Sequence, residues 1–167
     1  EVGATVIVHF CNRAATGSYG MHPHGFRYTK ANEGALYTGV NAGTGPGAGA
    51  NIPPGGCFNY TWIADADSSP GAGDPSSKVW WYHSHVDEPG DTNAGLIGPI
   101  IVGAEGSLGP DGTPSDVDRE FVTMFTVFDE NASPYLDANI QEYAGVPASV
   151  KREDEEFEES NLMHSIN

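Results

Sequence analysis

Four of the chain's six histidines fall in two His-x-His triplets, His22-Pro23-His24 and His83-Ser84-His85. Placing six histidines at random over 167 positions gives roughly 0.2 such pairs. Both triplets lie in stretches that read as β-strand, where residues i and i+2 point to one face. Each triplet can therefore aim two imidazoles at one place. Four converging imidazoles make a metal site, most naturally for copper or zinc. Structural zinc sites usually mix in cysteine, and neither cysteine neighbours a triplet, so all-imidazole ligation leans toward copper. No His-Glu-x-x-His helix motif is present. The plainer alternative is two surface clusters, or core histidines satisfied by backbone.

The elements that must position these rings are short and β-rich. Val2 to Phe10 is dense in β-branched residues and reads as a strand. Met21 to Tyr28 reads as a second strand, carrying the first triplet. Cys57 to Ile63 alternates aromatics at Phe58, Tyr60 and Trp62, and Val79 to His85 carries the second triplet. Gly95 to Val102 is apolar, with a break expected at Gly98-Pro99. Gly/Pro-rich loops at 39–49 and 64–77 separate them, and 22 glycines and 12 prolines leave little room for long helices. Such spacing predicts an all-β sandwich or barrel. Residues 1–104 read as one nearly complete β domain and 105–118 as a polar linker. Residues 119–167 read as the beginning of a second domain, with a strand at Glu120 to Phe128 and a short helix or loop at Pro134 to Ala144. The charge run 151–159 reads as a solvated segment. His9 is expected in the core or at the surface, and His164 outside the first domain's site. Asp87, Glu88 and Asp91 are expected to be loop residues. At least two of Trp80, Trp81 and Tyr82 are expected to pack in the core.

A formal charge of −16 makes nucleic acid an unfavourable partner. A surface this acidic keeps a protein soluble or attracts cations, solubility being the commoner role. No apolar run is long enough to span a membrane. The chain has no initiator Met and no leader, which is expected of a processed or excised segment. Cys11 and Cys57 sit in strand-like segments; they form a disulfide if those strands are neighbours, and buried thiols otherwise. Asn59-Tyr60-Thr61 and Asn131-Ala132-Ser133 are glycosylation sequons, the second followed by an unfavourable Pro134.

HPHG, WYHSH and GLIGPIIV together resemble the copper-binding cupredoxin domain of multicopper oxidases. KANEGALY at 30–37, DREFVTMFTVFDEN at 118–131 and EDEEFEESNLMHSIN at 153–167 resemble the ceruloplasmin/hephaestin ferroxidase branch. The resemblance implies a cupredoxin-like Greek-key β-sandwich followed by the incomplete start of a second such domain. It implies half of a trinuclear copper cluster, with His22 on the type 2 copper and His24, His83 and His85 on the type 3 pair. The remaining ligands and a type 1 copper would come from other cupredoxin domains, since this chain contains no His-Cys-His triplet. Implied reactants are dioxygen, reduced to water, and Fe(II) or another small reductant. The implied location is extracellular or otherwise in the secretory or exoplasmic space. Glu33-Gly34 sits where related laccases carry Asp-Gly. Glu33 then reads either as a carboxylate near the type 2 copper that helps deliver protons to oxygen, or as a surface residue beside a turn.

The sequence departs from the branch where a disulfide flanks the second triplet; those positions hold Ser77 and Gly103. The competing functions are a laccase-like oxidase of phenols or other metals, and a cupredoxin-repeat scaffold that lost copper. Retention of all four histidines argues against the scaffold. Alone, the chain is expected to bind copper weakly and not to turn over.

Overall fold

A computed structural model describes residues 1–37, 39, 44–145 and 149–166. They form two compact units, one of residues 1–86 and 97–121, the other of residues 87–96 and 122–167.

In the first unit, β1 (Thr5–Cys11) and β3 (Cys57–Ile63) form an antiparallel ribbon running from the Thr5–Ile63 pair to the Cys11–Cys57 pair. Side chains alternate across it, as a period of two requires. Tyr60 and Trp62 are buried on its inner face, while Thr5, Ile7, His9, Cys57, Asn59 and Thr61 face outward. The second sheet joins β2 (His22–Pro23), β4 (Ser77–His83) and β5 (Ile97–Gly103) in the order β2-β4-β5, with both pairs antiparallel. The chain alternates between the two sheets, β1 and β3 in one, β2 and β4 in the other. Arg27 and Ile63 tie the segment after β2 to the first ribbon by reciprocal backbone bonds of 3.0 and 2.8 Å.

The core is an aromatic ladder with polar handles. Phe58, Tyr60 and Trp62 follow one another at ring separations of 4.8 and 5.8 Å. The Tyr60 hydroxyl donates to the Gly49 carbonyl and accepts from the Met21 N–H at 3.1 Å. Burial raises the Tyr60 pKa to about 12. Trp62 Nε1 donates to the Asn32 carbonyl at 2.9 Å. One ladder thus anchors both Met21, next to the first triplet, and the 3-10 turn Lys30–Asn32.

The structure corrects several sequence expectations. The second strand is only His22–Pro23, because Gly25 adopts φ +75 and turns the chain. The strand through the second triplet ends at His83, and His85 instead makes an isolated parallel bridge to Ala35. No break occurs at Gly98-Pro99. Strand β5 lies at the sheet edge, where a proline's missing N–H costs little, and Gly98 leaves room for the Tyr82 ring. Residues 105–118 form turns, with Leu108 bridged to Pro114. The Gly-rich loop 39–49 falls partly outside the described residues, and its described end contains a 3-10 turn at Gly45–Gly47.

In the second unit, β6 (Phe125–Asp129) pairs antiparallel with β7 (Leu162–Ile166). The expected strand at 120–128 is therefore shorter and begins at Phe125. Helix α1 (Glu88–Asn93) links to this ribbon through Asn93 Oδ1, which accepts the Asp129 N–H at 2.8 Å. Helix α2 (Leu136–Asn139) runs into a π turn at Ile140–Ala144. The charge run ends in α3 (Glu155–Ser160), whose first turn is capped by the Asp154 carboxylate accepting from Glu156 N–H. Among the described residues no helix is long and apolar enough to cross a membrane.

Cys11 and Cys57 are disulfide-bonded, which decides between the bridge and the buried thiols. The bond joins residues directly opposite in the β1–β3 register, 46 apart in sequence. Closing a loop of that length removes chain entropy from the unfolded state, by about 3–4 kcal/mol in the simple loop model. The Cys11→Ser/Cys57→Ser double variant is expected to lose about 3 kcal/mol of stability, read as a lower urea midpoint with an intact native spectrum.

Candidate metal centre

The register delivers the histidines. His22 in β2 lies directly opposite His83 in β4, and opposed residues of an antiparallel pair share a face. Pro23 points to the other face and is buried. His24 lies beyond the strand, but its N–H still donates to the Trp81 carbonyl at 2.8 Å, which keeps it in register. Ring centroids lie 5.2 Å apart for His22 and His24, 5.5 Å for His22 and His83, and 5.2 Å for His22 and His85. His83 and His85 are stacked at 5.6 Å. All four predicted histidines therefore gather in the first unit. Candidate ligand nitrogens of His22, His24 and His83 lie within 4.8 Å of one another, and those of His24 and His83 approach to 3.0 Å. His85 joins the group through its ring contacts with His22 and His83.

Backbone carbonyls fix two tautomers. His22 Nδ1–H donates to the Glu33 carbonyl at 2.7 Å, and His83 Nδ1–H donates to the Ser84 carbonyl at 2.8 Å. A carbonyl only accepts, so the proton sits on Nδ1 and Nε2 keeps its lone pair. This donor set suits copper: imidazole-only, with a carbonyl behind two of the rings setting their orientation.

Glu33 meets His22 through its backbone rather than its carboxylate, which pairs with Lys30 Nζ at 2.6 Å and is largely buried. That ion pair raises the Lys30 pKa. Gly34 makes the carbonyl's position attainable. It adopts φ +75, and a Cβ there would lie 2.2 Å from the Met21 carbonyl oxygen. Gly25 is equally constrained, since a Cβ would fall 2.0 Å from the Trp80 ring. Trp80 is held by Nε1 donating to the Ser68 carbonyl at 2.9 Å.

Trp80 and Tyr82 are half-buried, whereas Trp81 is exposed and lies over His24 at 4.8 Å. Tyr28 meets His22 edge-on at 5.9 Å. The sequence reading did not single out Tyr28 or assign Trp81 to His24. Strict alternation from buried His83 would have put Trp81 on the histidines' face, but nothing in the sequence marks Tyr28. His9 is exposed and bonded to Asn59, while His164 lies in β7. Neither joins the cluster. Asp87, Glu88 and Asp91 lie at or in α1, in the second unit, with Asp91 buried and accepting from Asp87 N–H.

Residues 1–107 match the family model described as multicopper oxidase, and the chain belongs to that family, whose cofactor is copper and whose fold is cupredoxin-like and all-β. Hephaestin of Homo sapiens is 45% identical over 170 residues, covering 100% of this chain and 14% of hephaestin. Ceruloplasmin of Homo sapiens is 42% identical over 167 residues, covering 100% of this chain and 15% of ceruloplasmin. The chain thus spans 14–15% of the length of these curated relatives. A solved multicopper oxidase from Pseudomonas parafulva aligns with a TM-score of 0.49 at 22% identity, over 74% of this chain and 24% of that one.

Burial holds the His22 imidazole below the ordinary histidine value of 6.5. The bond to the Glu33 carbonyl pulls the other way, while charge on His85 and His83 adds to the lowering. A lowered folded pKa means the unfolded chain takes up the proton first. Stability is therefore full above 6.5 and declines as pH falls toward the folded pKa. In ring-carbon NMR of the metal-free chain, His22 is expected to titrate with a midpoint below 6.5; a midpoint at or above it contradicts this balance. Gly34→Ala is expected to cost about 1–3 kcal/mol in urea unfolding, since it combines a left-handed backbone with a clash on Met21.

Proposed function

We propose that this chain supplies half of the trinuclear copper site of a ferroxidase-like multicopper oxidase. His22 binds the type 2 copper, and His24, His83 and His85 bind the type 3 pair. The observation that carries this reading is the convergence of His22, His24 and His83 nitrogens within 4.8 Å, with two Nδ1 atoms tied to carbonyls. Copper held there supplies one-electron redox chemistry and the four-electron reduction of dioxygen to water. The chain's own part is to present imidazole nitrogens, to fix ring orientation through Glu33 and Ser84, and to shield the site beneath Trp81 and Tyr28. Glu33 keeps its carboxylate beside Lys30, where it can hold or pass a proton.

The other ligands and the type 1 copper come from further cupredoxin domains, and Fe(II) is the electron donor. Residues 1–104 are the cupredoxin domain, 105–118 the linker and 119–167 the beginning of the next domain. The location is extracellular, a reading supported by the Cys11–Cys57 disulfide. Similarity to hephaestin and ceruloplasmin over the whole chain supports the ferroxidase branch.

The purified chain is expected to bind Cu(II) weakly, with nitrogen hyperfine structure in its electron paramagnetic resonance spectrum. Its affinity should fall at least tenfold in His22→Ala/His83→Ala. No steady-state oxygen uptake with Fe(II) is expected. Unchanged binding by the double variant removes the histidine assignment, and sustained oxygen uptake by the chain alone removes the half-site.

A further inference from the structure

We propose that Asn59 is an N-glycosylation site, and that the outer face of the β1–β3 ribbon is a sugar-bearing, solvent-facing surface. The inference rests on the extracellular reading above, because the modification needs the secretory route. The sequon Asn59-Tyr60-Thr61 lies within β3. Alternation puts Asn59 and Thr61 on the exposed face and Tyr60 in the core. The sequon is read by the glycosylating enzyme on the extended chain, so the folded structure decides instead whether a glycan can be kept.

The geometry at Asn59 allows it. Its partner across the ribbon is His9, whose Nδ1–H donates to Asn59 Oδ1 at 2.7 Å. Glycosylation occurs at Nδ2, which donates to no group among the described residues. The carbonyl oxygen survives the modification, so the His9 bond survives too. That bond fixes the amide plane and directs Nδ2 away from His9. The other sequon is situated differently: Asn131 Nδ2 donates to Asp129 Oδ1 at 2.9 Å and to the Glu158 carbonyl at 3.0 Å, and its Oδ1 accepts from Asn161. A sugar on Asn131 Nδ2 removes one of those donors; one on Asn59 removes none.

Two neighbouring features favour a glycan on this face. The Cys11–Cys57 bond ends the same ribbon two residues from Asn59, and disulfides persist where glycosylation also occurs. Ile7, diagonal to Asn59 across the ribbon, is 58% exposed. A saccharide over it covers apolar surface that otherwise faces water.

The step forms a bond from Asn59 Nδ2 to C1 of the first sugar and breaks that carbon's bond to a phosphate oxygen. The donor is a polyprenyl-diphosphate-linked oligosaccharide. The polyprenyl diphosphate leaves with the bonding pair, the amide proton passes to base, and nothing is oxidised or reduced.

The test is secretion of the full chain, fused to a cleavable leader, from a eukaryotic host. Peptide mass spectrometry then follows peptide N-glycosidase treatment in heavy-oxygen water. The Asn59 peptide is expected to appear as heavy-labelled aspartate in most copies. The label should vanish in Asn59→Gln and in Thr61→Ala and persist in Thr61→Ser. An unlabelled Asn59 in secreted, disulfide-bonded protein overturns the proposal. Should Asn59→Gln not be secreted, enzymatic removal of the glycan from folded wild-type chain gives the same readout. Copper titration of the deglycosylated chain separates the two readings. Retained copper binding with no label at Asn59 defeats only the glycan, whereas a labelled Asn59 without histidine-dependent copper binding defeats only the copper site.

Discussion

The histidine cluster depends on one backbone pairing, His22 opposite His83 in a strand of two residues. That pair sets the distance between the triplets; a slip of one residue would turn His22 and His24 to the face now occupied by Pro23. So short a strand cannot hold its register by ladder bonds alone. The supports come from outside it. The Met21 N–H is held by Tyr60, His24 N–H by the Trp81 carbonyl, and the Gly20 N–H reaches the buried Ser84 hydroxyl at 3.3 Å. The aromatic ladder of β3 thus acts as the ruler for a site to which β3 contributes no ligand.

The same economy explains the glycines. At Gly25 and Gly34 the chain turns with positive φ while touching Trp80 and Met21 closely enough to exclude any Cβ. Both turns follow the first triplet. One brings the Trp80 ring under the strand end, and the other carries the Glu33 carbonyl to His22. Ligand orientation is therefore produced by backbone geometry rather than by charged side chains. This suits a site where a nearby uncompensated carboxylate would alter the charge on every ring.

The gathering of the four histidines was legible because His-x-His expresses a strand's period directly, and β3 was legible end to end because Phe58, Tyr60 and Trp62 alternate without interruption. The Cys11–Cys57 bond was left open because a cross-strand register cannot be read from spacing. The strand around His22–Pro23 was overestimated, since Phe26, Arg27 and Tyr28 have strand-like side chains while Gly25 has already redirected the backbone. At Gly98-Pro99 the error ran the other way: the dipeptide signals a break, but an edge position and the Tyr82 ring permit continuity. Glu33 shows a deeper limit. Its side chain invited a catalytic reading, yet its contact with His22 is through the carbonyl, an atom every residue carries. Only the following glycine hinted at it.

Charge completes the physical picture. The chain carries a formal −16, yet the Glu33 carboxylate, whose backbone carbonyl holds His22, is paired with Lys30. The centre of the His22 ring lies 5.5 Å from that of His83 and 5.2 Å from that of His85. Were His22 and either of those charged, the repulsion would be about 3 kcal/mol at an effective dielectric near 20. Together with the loss of hydration at His22, this opposes the accumulation of protons in the cluster. His22 is therefore held toward its neutral, lone-pair-bearing form. A single multivalent cation satisfies several lone pairs at once, whereas separate protons on separate rings repel. The convergence of the rings thereby suits one shared cation better than separate protons.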